Sequence, residues 1–190
     1  MQQTDSDKKY ALIIGANGGI GREVVSQVSA QQRFDTIYTL SRGEAAYNTS
    51  DFSAHTKLIH KAMDTANEAA VKSFIDELKD NGVKLSLVIC TTGILHQEAN
   101  TQSTPEVVGL KPEKRLEDMH EMQLAEYFRI NSILPAIWLQ NLVKVVDKQG
   151  ANIIFFSARV GSISENELGG WYGYRSSKAA LNMLVKTAAM

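Results

Sequence analysis

The feature that most constrains this chain lies near its start, where YALIIGA (10–16) runs directly into NGGIGREVVSQVSAQ. A short apolar run that closes on glycine suits a strand buried on both faces. The segment behind it carries Ile20, Val24, Val25 and Val28 at helical spacing. A loop between such a strand and such a helix aims backbone N–H groups, and the positive end of the helix dipole, at a phosphate. Glycine is needed there wherever a side chain would hold a pyrophosphate away. The loop ends the first strand and opens a helix, which is the position a dinucleotide site requires; an ordinary glycine-rich turn is the competing reading. Gly15, Asn17, Gly18, Gly19, Ile20 and Gly21 are therefore the candidate cofactor contacts.

The remaining chain repeats the alternation. DTIYTLSR (35–42), KLIHKAMD (57–64), LSLVICTTG (85–93) and ANIIFFSA (151–158) read as four further strands. A helix is expected over 66–82, with Val71, Phe74, Ile75 and Leu78 inward and Asn81-Gly82 as its stop. A long helix is expected over roughly 116–147, kinked at Pro135, and a last one from near 171. The polar stretch HQEANTQSTPEVVGLKPEK reads as loop. Strands alternating with helices imply right-handed crossovers and a parallel sheet covered on both faces. The fold class is thus α/β: a Rossmann-type doubly wound sheet in three α/β/α layers. Five strands are visible, where sheets of this type commonly carry six or more. MQQTDSDKK reads as a disordered lead-in over 1–9, followed by a single domain over 10–190.

Composition narrows the function classes. The 190 residues carry a formal net charge of −1, which argues against a nucleic-acid partner. No apolar run approaches the roughly 20 residues of a membrane span. The polar start does not resemble a secretory signal, and the single cysteine, Cys90, fits a reducing compartment. A cytoplasmic location is expected. His55, His60, His96 and His120 show no metal-ligand spacing, so no metal is expected.

Two further places carry chemistry. At the end of the second strand an acidic residue would hold the ribose hydroxyls of NAD and repel a 2′-phosphate. Leu40-Ser41-Arg42 stands there instead, a hydroxyl and a fixed positive charge, which favours NADP(H) over NAD(H) unless Arg42 is simply a solvated loop residue. Near the end, GGWYGYRSSK places Tyr174 and Lys178 four apart, on one helix face. A tyrosine ordinarily ionises near 10, and a nearby ammonium favours the phenolate. Such a pair could exchange a proton with a carbonyl oxygen or an alcohol. Tyr172, two residues earlier and on another face, reads as packing.

GxxxGxG at 15–21, Asp64, TTG at 91–93, Asn131 in FRINSILP, Ser157 and YRSSK at 174–178 follow one another in an order and spacing that resembles the short-chain dehydrogenases/reductases. GILH, PEKRL, SARVGSI and GGWYGYRSSKAALNM look most like the C-factor-like and sniffer-type carbonyl reductases within that family. The resemblance implies hydride transfer between nicotinamide and a small-molecule carbonyl or secondary alcohol. Tyr174 would then be the proton donor or acceptor, Lys178 its pKa-lowering partner and ribose ligand, and Asn131 the residue at a helix distortion that orders a relay water. Ser157, with Ser162 as a second candidate, would polarise the substrate carbonyl. Asp64 would meet the adenine, and Thr91, Thr92 and Gly93 would line the cofactor site. The resemblance also implies a homodimer or homotetramer built on the long and last helices, and a chain lacking the last strands of the family fold. A C-factor-like signalling or nucleotide-binding protein without robust catalysis is the alternative.

Overall fold

A computed structural model describes residues 8–47, 56–102 and 107–190. Most of the lead-in and His55 lie outside these. The described residues divide into two compact units, one drawn from residues up to Thr92 with Trp138–Phe155, the other from Gly93–Ile137 with Phe156–Met190.

The first unit is built on five parallel strands: β1 (Tyr10–Ile14), β2 (Thr36–Ser41), β3 (Lys57–Ala62), β4 (Leu85–Cys90) and β5 (Asn152–Phe155). They lie in the order β3-β2-β1-β4-β5. The order reverses at β1, so the glycine loop leaves the sheet where a doubly wound fold opens a crevice. Alternation along β1 shows how both faces are covered. Ala11 and Ile13 pack with Val25 and Val28 of α1 (Gly19–Ala30), and with Phe34, Ile37 and Ile89. Leu12 and Ile14 point the other way, into Val71, Phe74, Ile75 and Leu78 of α2 (Glu68–Asp80) and into Trp138, Leu142 and Val145. All four β1 residues from Ala11 to Ile14 are fully buried, which is why that run contains no polar residue. Helix α2 forms as its spacing predicts: Asn67 caps it by accepting from Ala70 N–H at 3.0 Å, and Gly82, at φ +68°, turns the chain out of it.

Two expectations fail here. Ile20, at helical spacing with the buried valines, is 56 % exposed. The long helix over 116–147 is shorter and broken. A single 3-10 turn over Leu116–Asp118 is followed by Met119 in extended backbone, and α3 (Glu121–Phe128) starts only after it. At the other end α4 (Leu134–Leu142) stops before Val145, which is drawn fully into the core.

In the second unit the irregularity between α3 and α4 is a π turn over Arg129–Ile133, closed by Leu134 N–H bonding back to Arg129 O. It precedes Pro135 rather than centring on it. Proline lacks the N–H that would continue the α-pattern to the carbonyl four residues back. The stretch read as loop contains two antiparallel bridges, Gln97 with Leu110 and Asn100 with Val107. Helix α5 (Tyr172–Ala188) closes the described chain.

Candidate functional site

In the first unit the glycine loop is tied to the sheet by its backbone. Gly15 and Ala16 N–H both donate to Leu40 O at 2.9 Å, and Gly18 N–H donates to Gly15 O at 3.1 Å. Gly15 sits at φ +86°, a conformation that disfavours any other L-residue. Thr91 braces the same strand end: its hydroxyl donates to Ile14 O at 3.0 Å and to Gly15 O at 3.1 Å. Thr92 Oγ1 lies 3.0 Å from Cys90 Sγ. Helix α1 has neither a side-chain cap nor an acidic residue in its first turn. Its first intrahelical bond is Arg22 N–H to Gly18 O, so the amides of Gly19, Ile20 and Gly21 precede the helical ladder. Open space surrounds the place where a Cβ on Gly19 would stand. Uncapped amides, a glycine-lined approach and a positive helix end fit a phosphate group.

Three polar residues expected at the ligand also have partners within the protein. Asn17 Nδ2 donates to Glu44 O at 2.7 Å, and Asn17 Oδ1 accepts from Ala46 N–H at 3.0 Å. Ser41 is 6 % exposed and its hydroxyl donates to Gly43 O at 2.7 Å. Asp64 is exposed and accepts from Ala66 N–H at 2.9 Å ahead of α2. Arg42 is exposed on the loop after β2.

The second unit brings Gly93, Asn131, Tyr174 and Lys178 together. Asn131, on the π turn, is fully buried. It accepts from Ile94 N–H at 2.8 Å and donates to Ile94 O at 2.9 Å and to Ser177 Oγ at 3.1 Å. Ser177 Oγ donates in turn to Tyr174 O at 2.8 Å, while Ser132 Oγ donates to Ser177 O at 2.7 Å. These bonds tie the π turn to the stretch of α5 that carries Tyr174. A Cβ on Gly93 would stand 3.1 Å from Lys178 Nζ and 3.4 Å from Asn131 Oδ1, so both polar groups come close to the backbone at Gly93.

Lys178 is 3 % exposed; its ammonium donates to Phe156 O at 2.8 Å and lies 5.8 Å from the centre of the Tyr174 ring. Tyr174 also meets Tyr127 and Trp171 edge-on, with ring centres 6.2 and 6.3 Å away. Spacing alone predicts that Lys178 draws the Tyr174 pKa down. The structure has it raised, with burial as the cause. Ser157 lies beyond the strand, which ends at Phe155, and is exposed, one residue past the carbonyl that holds Lys178. Ser162 pairs with Ser164 at 3.4 Å on the surface. Tyr172 is the first residue of α5 and only partly buried.

Sequence reasoning missed Glu113 and Tyr127. Trp171, ahead of α5, is left-handed (φ 54°) and supplies no side-chain cap. Glu113, 2 % exposed, takes that role from a distant loop: its carbonyl accepts Trp171 N–H, and its carboxylate accepts Gly173 N–H at 3.3 Å and Gln123 Nε2 at 2.8 Å. Tyr127, fully buried, donates to Leu95 O at 2.7 Å; burial first, then the Glu113 carboxylate, pushes its pKa up to about 12.

The chain matches the family model described as short chain dehydrogenase over residues 9–190, and it belongs to that family. It is 27 % identical over 173 residues to a 1-hydroxy-2-glutathionyl-2-methyl-3-butene dehydrogenase of Rhodococcus sp. (strain AD45), covering 91 % of this chain and 66 % of the relative. It is 27 % identical over 176 residues to a benzil reductase ((S)-benzoin forming) of Saccharomyces cerevisiae, covering 92 % and 62 %. In structure it resembles the carbonyl reductase Sniffer of D. melanogaster, with a TM-score of 0.73, 21 % identity and coverage of 95 % and 73 %. The chain spans less than two thirds of the length of these two curated relatives.

Proposed function

We propose that this chain is an NADP(H)-preferring carbonyl reductase of the sniffer type, with Tyr174 as its general acid. The observation that carries the reading is the near-complete burial of Lys178, whose ammonium is held one helical turn from Tyr174 beside Gly93 and Asn131. A lysine is rarely buried without a task that needs its charge.

The first unit would hold the coenzyme: the amides at Gly19, Ile20 and Gly21 on the pyrophosphate, Asp64 toward the adenine, Arg42 on the 2′-phosphate. A bound reduced nicotinamide supplies the hydride. Tyr174 then gives its phenolic proton to the carbonyl oxygen as that oxygen gains charge. Burial raises the pKa of Tyr174, so at neutral pH the phenol holds its proton and enters the step as the acid rather than as the base. Lys178 steadies the phenolate left behind, and Asn131 fixes the backbone of the relay. Ser157 is the hydroxyl we assign to the substrate oxygen. The benzil reductase relative supports an aromatic or bulky ketone as substrate class.

The test is a titration with NADPH followed by ketone reduction, using wild-type protein and Tyr174→Phe. The expected result is unchanged NADPH affinity with reduction lowered by about a hundredfold or more. Unchanged reduction in Tyr174→Phe would sink the assignment.

A further inference from the structure

The described segment that follows β2, from Arg42 to Tyr47, lies outside regular structure, yet it is held from two sides. On one side stand the two bonds from Asn17 to Glu44 and Ala46. On the other stands His60, which lies on β3 directly beside Thr39 in the parallel register.

The hydrogen-bond directions there are fixed by chemistry. The Gly43 carbonyl can only accept, so His60 Nε2, 2.9 Å away, carries the proton and donates to it. In the neutral ring Nδ1 is then the acceptor, and Thr39 Oγ1 donates to it across 3.0 Å. Tyr47 O–H in turn donates to Thr39 Oγ1 at 2.6 Å. The chain Tyr47, Thr39, His60, Gly43 runs one way and returns to the loop from which it starts. Ser41 Oγ adds a second donor to the Gly43 carbonyl at 2.7 Å. The Tyr47 ring stands edge-on to the imidazole, with ring centres 6.1 Å apart at 89°.

We propose that His60 is a specificity-positioning residue: by fixing the Gly43 carbonyl it sets the direction in which Arg42 leaves β2, so that the guanidinium meets the 2′-phosphate of NADP. The inference rests on the reading of Arg42 given above. An arginine on an unfixed loop loses backbone as well as side-chain freedom when it meets a phosphate; on a fixed loop it loses only the latter. His60 therefore acts on NADPH and leaves NADH, which has no group at that position, untouched.

Calorimetric titration of the chain with NADPH and with NADH tests this in wild type, His60→Leu, His60→Gln, Arg42→Ala and the double variant His60→Leu/Arg42→Ala. His60→Leu keeps bulk but removes both ring nitrogens; His60→Gln restores a donor for the Gly43 carbonyl. His60→Leu is expected to weaken NADPH by about tenfold and NADH by less than about twofold, with His60→Gln recovering most of the loss. In the Arg42→Ala background His60→Leu should leave the NADPH-to-NADH ratio where Arg42→Ala puts it. Equal weakening of both coenzymes by His60→Leu, or an unaltered ratio, overturns the proposal while leaving coenzyme binding intact. A wild-type chain that binds neither coenzyme, or both alike, removes the Arg42 reading and this inference with it. Tyr47→Phe deletes one hydroxyl at the far end of the relay. It should shift the ratio in the same direction by a smaller factor, which covers the case in which His60→Leu fails to fold.

Discussion

Gly19 and Gly21 share the first turn of α1, but the structure assigns them different reasons for being glycine, and two alanine substitutions separate them. A Cβ on Gly21 would stand 2.1 Å from Gly15 O, 2.9 Å from Gly15 C and 3.0 Å from Ala16 C. The first distance falls more than about an ångström short of a van der Waals contact. All three neighbours are backbone, and the Gly15 turn is pinned to Leu40 O and to the Thr91 hydroxyl, so nothing can swing aside. Overpacking typically costs about 1–3 kcal/mol, and a clash with fixed backbone belongs at the upper end. For a chain of this size about 3 kcal/mol lowers the melting temperature by roughly 6–12 °C. A Cβ on Gly19 meets nothing within 4 Å. Alanine is the better helix former by up to about 1 kcal/mol, so Gly19→Ala should melt at or slightly above wild type. It should nonetheless weaken coenzyme binding, because its methyl group occupies the approach to the first-turn amides. Thermal melts and calorimetric titration with NADPH on both variants make the comparison. Gly21→Ala melting with wild type would refute the packing argument. Gly19→Ala binding NADPH at wild-type strength would refute the assignment of those amides to the phosphate.

Asn131→Ala removes the partner of both Ile94 N–H and Ile94 O as well as a donor to Ser177, and should cost about 2–4 kcal/mol in denaturant unfolding. Tyr127 has a pKa of about 12 in the fold and near 10 when unfolded, so the unfolded chain releases its proton first as pH rises. Its contribution is intact below pH 10 and lost progressively toward pH 12; Tyr127→Phe should flatten that decline in denaturant midpoints while lowering stability at neutral pH by about 1 kcal/mol. Glu113→Ala takes away the acceptor for Gly173 N–H and should speed amide exchange at Gly173 and Tyr174, leaving exchange in β1 and β4 unchanged.

The frame was readable because it rests on periodicity. Val71, Phe74, Ile75 and Leu78 announce the buried face of α2, and the apolar runs closing on Gly15 and Gly93 announce β1 and β4 with errors of only a few residues. Helix breaks were less readable. Pro135 signals that the long helix cannot be regular, and the resemblance puts a distortion at Asn131, but periodicity does not show that it is a π turn that buries Asn131. Which hydrogen bonds slip when a proline N–H is missing depends on what the turn can reach. Here the reach of Asn131 to Ile94 and Ser177 rewards the bulged form.

Side-chain direction was the least readable property, and the reason is physical. Near a glycine-rich loop the chain exposes more carbonyls and amides than regular structure can pair, and any nearby polar side chain competes for them. Motif reasoning gives Asn17, Ser41 and Thr91 to a ligand, yet each is within 2.7–3.1 Å of a backbone group of its own unit. Tyr174 shows the limit of spacing in another way. Four-residue spacing brings Lys178 alongside it, but Phe156 O also draws on the ammonium, and burial sets the direction of the tyrosine's shift. A motif therefore reports which side chains are near one another, and the unpaired backbone around them decides how much of each is left for chemistry.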